Sequence, residues 1–276
     1  MDVRFDLHVH TTASDGTFTP AEIVRYAASE GLVALAITDH DSIGGIPEAL
    51  SVAEADQSGL TIIPGVELSA VHEGHDVHIL GYFLDHTDET LCRHLSDLRT
   101  ARLNRATAIV EALTAAGYEI SIDNVLALSG GGAVGRSHVA RALVHNGHAA
   151  DVSDAFRRLL GRGKPFYVPK DVRTPSEVLA VVVDAGGTPV LAHPGVTGVD
   201  DLIPALVDEG LAGLEAYHPE HDEVQRDRYL GLAEELGLLV TGGTDYHGIG
   251  APNPALGSIE MPADVLTELL AAGRRG

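Results

Sequence analysis

Imidazoles and carboxylates recur along this 276-residue chain at one kind of place. His8 and His10, His40, Glu67, His78, His193, His218, and Asp245 with His247 each close or follow a short apolar run, and Asp15 lies in a Gly turn just after His10. On a strand, residues i and i+2 leave the same face, so His8 and His10 point together, away from the face carrying Val3, Phe5, Leu7 and Val9. Two neighbouring imidazoles with a carboxylate close by can grip a divalent cation. A lone His-x-His could equally be a polar pair at a strand terminus; what favours metal binding is the company this motif keeps. So many nitrogen and oxygen donors exceed the needs of one ion, because zinc takes about four ligands and octahedral ions about six. Two or three ions follow, with a carboxylate bridging them. Ions so spaced clamp a phosphoryl oxygen and turn bound water into hydroxide near neutral pH. With no cysteine at these positions, the metal stays open among Zn, Mn and Fe.

An alternation of short apolar runs and amphipathic helices positions these residues. The spacing predicts strands at Val3–Val9, Leu32–Thr38, Leu60–Ile63, Thr188–Ala192, Leu211–Ala216 and Leu238–Thr241, and a hairpin over Ala70–Phe83 with His78 and Leu80 on one face. Thr19-Pro20-Ala21-Glu22 reads as an N-cap, a proline at the first helical position and a capping-box acid. Further helices are expected at Pro47–Gln57 and at the C-terminus, the latter after a Pro/Asn loop. In parallel α/β folds functional side chains gather at the carboxyl ends of strands, which would bring these residues into one mouth. His72, His86, His94, His145, His148 and His221 fit surface or capping roles better. The rhythm breaks between 99 and 163, where a long helix over Thr87–Gly117 and shorter ones near Asp123–Leu128, Ser137–His145 and Val152–Leu160 replace it. The chain therefore reads as α/β, with a barrel from 1–98 and 164–276 and a mainly helical insertion at 99–163.

Forty-five per cent hydrophobic residues indicate a globular core, and no apolar run reaches a membrane span. The first strand starts at once, leaving no room for a signal peptide, so the cytoplasm is the default location. The single cysteine, Cys92, lies in a helical pattern with Leu91, Leu95 and Leu98, where burial is expected. A net charge of −22 argues against a general nucleic-acid-coating protein. The charge is uneven, however: residues 99–173 hold 11 of the 18 basic residues and 6 of the 40 acids. Cations below and an anion above would suit that division.

The motifs His8-Val9-His10 with Asp15, Thr38-Asp39-His40-Asp41, Pro64-Gly65-Val66-Glu67, His78, Ala192-His193-Pro194-Gly195 and Gly243-Thr244-Asp245-Tyr246-His247 resemble those of the polymerase-and-histidinol-phosphatase (PHP) family of metal-dependent phosphoesterases. The resemblance implies an irregular (β/α)7 barrel with an inserted helical cap. It further implies one ion on His8, His10, Glu67 and Asp245, a second on Asp15, His40 and His247, and a third on Glu67, His78 and His193, with His218 beside the substrate phosphate. The insertion is similar to that of a subgroup that dephosphorylates nucleoside 3′,5′-bisphosphates and trims the 5′ end of short RNA. Its matching residues run from Gly135-Arg136-Ser137-His138 to Arg141 and from Gly163-Lys164 to Pro169. Arg136 and His138 would contact substrate; Ser137 stands where proline is expected and should matter little. A guanidinium suits a bidentate phosphate contact. Lys164 reads either as a phosphate contact or a surface charge, Arg102 and Arg105 as helix-surface charges, and Gly130-Gly131-Gly132 as a flexible linker ahead of a phosphate nest.

The expected reaction is attack of a metal-bridging hydroxide on a nucleotide phosphomonoester, with His218 as hydrogen-bond or proton donor. No membrane or obligate protein partner is implied. An amidohydrolase is the rival enzyme, but many of those bridge their metals with a carboxylated lysine, and Lys164 and Lys170 are the only lysines. A non-catalytic nucleotide- or metal-binding domain is the other alternative, although such a domain would be expected to have lost ligands.

Overall fold

A computed structural model describes residues 3–169, 173–249 and 254–274. Seven strands follow one another in sequence order around an irregular, nearly closed barrel: β1 (Phe5–Asp6), β2 (Ala34–Ile37), β3 (Thr61–His72), β4 (His75–Tyr82), β5 (Thr188–Leu191), β6 (Gly213–Tyr217) and β7 (Leu239–Gly242). β4 runs antiparallel to both neighbours, and the other pairs are parallel. A bridge between Val9 and Tyr246 brings the first and last strands together.

Alternation along β2 sorts the two faces. Ala34 and Ala36 pack with Phe5, Leu7, Leu80 and Tyr82, whereas Leu35 and Ile37 pack against α1 (Pro20–Ser29) and α2 (Ile46–Ala55). The predicted capping box opens α1: Glu22 N–H donates to Thr19 Oγ1 at 3.2 Å, and Thr19 N–H donates to the Glu22 carboxylate at 2.8 Å.

Between β4 and β5 the chain leaves the barrel. α3 (Glu89–Ala115), 27 residues long, belongs to two cores. Its Leu91, Leu95 and Leu98 pack with the barrel, and Ala106, Ile109, Val110 and Leu113 join a separate cluster with α4 (Ile122–Ser129), α5 (Arg136–His145), α6 (Val152–Ala155) and a π-helical turn at Phe156–Leu160. Phe166 and Val168 also pack on that second cluster. The chain then returns through α7 (Pro175–Asp184), α8 (Pro194–Thr197), α9 (Ile203–Asp208), α10 (Glu223–Leu236) and α11 (Ala263–Ala272).

Several expectations need correction. Cys92 is exposed, because α3 buries Leu91, His94 and Leu95 and turns the next position outward. Val3 is also exposed, and the first strand is only Phe5–Asp6 with a bridge at Val9. The third strand does not stop near Ile63; it runs unbroken into the hairpin as β3. Most of the Pro/Asn loop, at 250–253, and Lys170 lie outside the described residues. No helix among the described residues is long and apolar enough to cross a membrane.

Buried Asp6 ties the barrel's ends. Its carboxylate accepts from Thr244 N at 2.9 Å, Thr244 Oγ1 at 2.6 Å and Gly257 N at 2.9 Å. Burial raises its pKa, and those bonds oppose the rise. Asp6→Ala would strand these donors, so urea unfolding of the metal-free protein should show a loss of roughly 3 kcal/mol. A loss below about 1 kcal/mol would mean the ends join without it.

Candidate metal centre

Glu67, at 1% exposure, occupies the middle of the site. Its Oε2 lies 3.3 Å from His8 Nε2, 3.3 Å from His10 Nε2 and 2.8 Å from His40 Nδ1. Its Oε1 lies 2.7 Å from His78 Nδ1 and 3.2 Å from His193 Nε2. Backbone pairing sets this up, since His40 bridges Glu67 in parallel register and carries the end of β2 across to β3. Asp245 Oδ1 closes one side, 2.9 Å from His10 Nε2 and 3.4 Å from His8 Nε2. His247 Nε2 stands 3.3 Å from Asp15 Oδ1 on the other.

Among the described residues, three groups each hold donor atoms within 4.8 Å of one another: His10, Asp15, His40 and His247; His8, His10, Glu67 and Asp245; and His40, Glu67 and His78. His193 joins Glu67 and His78 at the last, its Nε2 being 3.4 Å from His78 Nδ1. The donor set passes a chemical test for divalent ions. His8 Nε2, His10 Nε2, Asp15 Oδ1, His40 Nδ1, Glu67 Oε2 and Asp245 Oδ1 are buried without a hydrogen-bond partner, an arrangement that costs free energy unless something cationic completes it. Burial alone would raise the Glu67 carboxyl, yet the imidazoles of His40, His78 and His8 hold it well below the usual range. Burial opposes a proton on His10 too, but Asp245 and Glu67 raise its imidazole to about 10. A metal ion entering this cluster would displace protons.

Outer partners aim the ligands. His8 Nδ1 is 2.9 Å from Glu215 Oε1, and Glu215 Oε2 accepts from His193 N at 2.8 Å. With the His8 proton on Nδ1, the Nε2 lone pair faces the cluster. His247 Nδ1 donates in the same way to Asp245 O at 2.7 Å. Asp39 accepts from Thr11 N, Thr11 Oγ1 and Ser14 Oγ at 2.7, 2.7 and 2.6 Å, fixing the loop after His10. His193 and Asp245 hold positive φ, +29° and +51°, a strained backbone of the kind that concentrates at functional sites. Gly243 allows the end of β7 to approach His8, because a Cβ there would meet His8 Cβ at 2.5 Å.

The insertion reaches into this centre. Ser137 Oγ donates to Asp15 Oδ2 at 2.6 Å, a bond that proline could not make, and Arg141 donates to Asp15 O. Arg102 and Arg105 are no surface charges. Arg102 pairs with Asp41 and donates to Ser69 Oγ at 2.8 Å, and Arg105 donates to Val168 O at 2.7 Å. Both line a cavity of about 120 Å³ with Arg136, Asp15, His40 and His78. Arg136 is held by Asp76 Oδ2 at 2.7 Å and by the rings of Phe156 and Tyr167. His138 is buried, its Nδ1 accepting from Gly135 N at 3.0 Å, which commits the ring to the start of α5. Lys164 is exposed, and its neighbours Arg162 and Tyr167 line the mouth. In the glycine run Gly130 ends α4 in a left-handed conformation, while Gly132 abuts Thr12 O and Ala133 N donates to Ala13 O at 3.0 Å. Sequence reasoning passed over Glu215, although an acid within the apolar run of β6 was a visible signal.

A barrel that gathers imidazoles and carboxylates at its strand ends, below an arginine-lined opening, defines a metal-dependent phosphoesterase. The PHP domain model matches residues 6–164, and the chain belongs to that family. It is 36% identical over 250 residues to the 5′-3′ exoribonuclease Rnm of Escherichia coli K12, covering 89% of this chain and 85% of that one. It is 34% identical over 263 residues to the 3′,5′-nucleoside bisphosphate phosphatase of Chromobacterium violaceum, covering 93% and 92%. A Bifidobacterium adolescentis structure assigned as a metal-dependent phosphoesterase superposes with a TM-score of 0.91 at 37% identity, covering 98% and 96%.

Glu215→Gln keeps the shape and removes the charge behind His8. Metal affinity should fall about 10- to 100-fold by titration with an unchanged far-UV spectrum, and unchanged affinity would show Glu215 to be idle. Burial, then the charges of Arg141 and Arg102, push the His138 imidazole from 6.5 down to about 4. The unfolded chain therefore binds this proton more readily, and stability should fall as pH drops below 6.5. Between pH 7 and 5 the contribution is on the order of 2 kcal/mol. His138→Gln should lose that much less than wild type over the same interval in metal-free urea unfolding; parallel losses would contradict it.

Proposed function

We propose that the chain hydrolyses phosphomonoesters of nucleotides, the substrate being an AMP-like nucleotide, a 3′,5′-bisphosphate nucleotide or the 5′ end of a short RNA. In this reading His8, His10, Asp15, His40, Glu67, His78, His193, Asp245 and His247 hold two or three divalent ions of Mn, Zn or Fe. The segment 99–163 is a cap domain supplying substrate contacts to the barrel of 1–98 and 164–276. The observation that carries the reading is the arginine-lined cavity opening on His40 and His78. The relatives named as an exoribonuclease and a nucleoside bisphosphate phosphatase support the same substrate class.

Ions bound at the strand ends supply the Lewis acidity and the acidified water that phosphoester hydrolysis needs. The chain's own residues orient the substrate. Arg105 Nη2 is buried without a partner, and burial together with the Arg136 charge lowers its pKa to about 10, so Arg105 remains cationic beside a like charge. An anionic group between Arg105 and Arg136 relieves that repulsion and gives the guanidinium an acceptor. His218 Nδ1 accepts from Glu220 N at 3.2 Å, which leaves the neutral ring's proton on Nε2. That Nε2 is buried without a partner, 3.8 Å from Asp245 Oδ2, and is placed to donate to a phosphoryl or leaving oxygen. His138 acts through α5, holding Arg136 and Ser137 at the helix start, and Lys164 meets the portion of substrate outside the mouth.

Phosphate release from nucleoside 3′,5′-bisphosphates and nucleotide release from short 5′-phosphorylated RNA, assayed with Mn, test the reading. Hydrolysis of cyclic amides alone would overturn it. His218→Ala should lower kcat on the order of 100- to 1000-fold with metal content intact, and lost metal would make it a ligand instead. Arg136→Ala should raise KM for nucleotides more than it lowers kcat; a pure kcat effect would contradict a binding role.

A further inference from the structure

His193 and His218 follow different strands, β5 and β6, yet their ring centroids lie 5.2 Å apart. Strand pairing alone does not set that spacing. His193 holds a φ of +29° where the chain enters α8, and Ala216, two residues before His218, falls in the register break between Glu215 and Tyr217. A third histidine spans the two irregular places. His221, which by sequence alone falls among the surface and capping histidines, spends both ring nitrogens on backbone. Its Nδ1 lies 2.9 Å from Ala216 O, and its Nε2 accepts from Gly195 N at 3.1 Å. A carbonyl only accepts, so the proton sits on Nδ1 and the ring is neutral. Burial lowers its pKa, which favours that form. Gln225 supports the same junction: its Nε2 donates to Gly195 O at 3.1 Å, and its Oε1 accepts at 3.1 Å from N of Asp222, the residue that caps α10. The fit is close, since a Cβ on Gly195 would meet His221 Cδ2 at 2.7 Å, although no positive φ at Gly195 calls for glycine.

We propose that His221 is a positioning residue, joining the turn after His193 to the end of β6 and so setting the spacing between a candidate metal ligand, His193, and a candidate hydrogen-bond donor, His218. With both nitrogens committed, the ring acts through Gly195 and Ala216 and not by touching substrate. Glycine at 195 is required because the ring occupies the space a side chain would need. The assignment rests on the ligand and donor roles proposed above.

The test measures Mn affinity by titration of the metal-stripped chain, kcat and KM on adenosine 3′,5′-bisphosphate, and far-UV circular dichroism. His221→Ala should weaken one Mn-binding step and lower kcat, each about 10- to 100-fold, with KM little changed because the arginines that bind the substrate are untouched. Gly195→Ala, which pushes the ring aside on a backbone that accepts alanine, should act in the same direction. The double variant should lose no more than His221→Ala alone, since removing the ring makes room for the new methyl group. Wild-type Mn affinity and kcat in His221→Ala would leave it a capping residue and overturn the proposal, as would losses that multiply in the double variant. If His221→Ala fails to fold, Gly195→Ala decides, and unchanged Mn affinity and kcat there overturn the proposal. Absence of turnover in wild type would overturn the hydrolytic reading, while the Mn titrations would still decide the role of His221.

Discussion

A carboxylate buried among five imidazoles is the constraint on which this structure turns. Glu67 sits within 3.3 Å of nitrogens from His8, His10, His40, His78 and His193, and its charge is shielded from water. Hydrogen bonds alone do not satisfy that cluster, because buried donor atoms on several of its members have no partner. Divalent cations would resolve the mismatch, making ligands of a group of costly buried atoms. Much of the surrounding barrel serves to bring these atoms together. The parallel pairing of β2 with β3 delivers His40 to Glu67, the antiparallel β4 delivers His78, and the joining of first and last strands through Asp6 delivers Asp245 to His8 and His10.

A second constraint comes from charge. The acidic barrel cannot itself attract a phosphate, whereas residues 99–173 carry a surplus of cations. α3 solves the problem mechanically. One helix packs into the barrel with its first half and into the inserted core with its second, so Arg102 and Arg105 project where the two meet. Ser137, Arg141 and Ala133 then fasten the insertion to the Asp15 loop. The candidate metal ligands and the arginines of the insertion are thereby fixed relative to each other. Such fixity is what electrostatic catalysis requires, since donors already in place need no reorganisation as charge develops.

The order of strands, the capping box of α1, the interruption of the barrel rhythm and the family were legible in the sequence, because each rests on local pattern or motif. His8 with His10 and the strand-end residues announced themselves by type and spacing. Contacts made across the fold were less legible. Arg102 and Arg105 looked like ordinary helix-surface residues because nothing in α3 reveals that a barrel mouth lies beside it. Ser137 looked incidental because Asp15 is remote from it in sequence. Cys92 was misjudged through a heptad-like apolar pattern that gives a face only to within one position. Glu215 could have been found, since an isolated acid inside a buried strand needs a partner.

Metal stoichiometry measured on one pair of proteins addresses the central claim most directly. Wild type and Glu67→Ala would be purified, reconstituted with Mn and analysed for bound metal by mass spectrometry, with far-UV circular dichroism as the check on folding. The account predicts two or three ions per wild-type chain and no more than one in a folded Glu67→Ala, left at His10, Asp15, His40 and His247, because the bridging carboxylate serves the other two groups. Full metal content in the folded variant, or none in wild type, would contradict it.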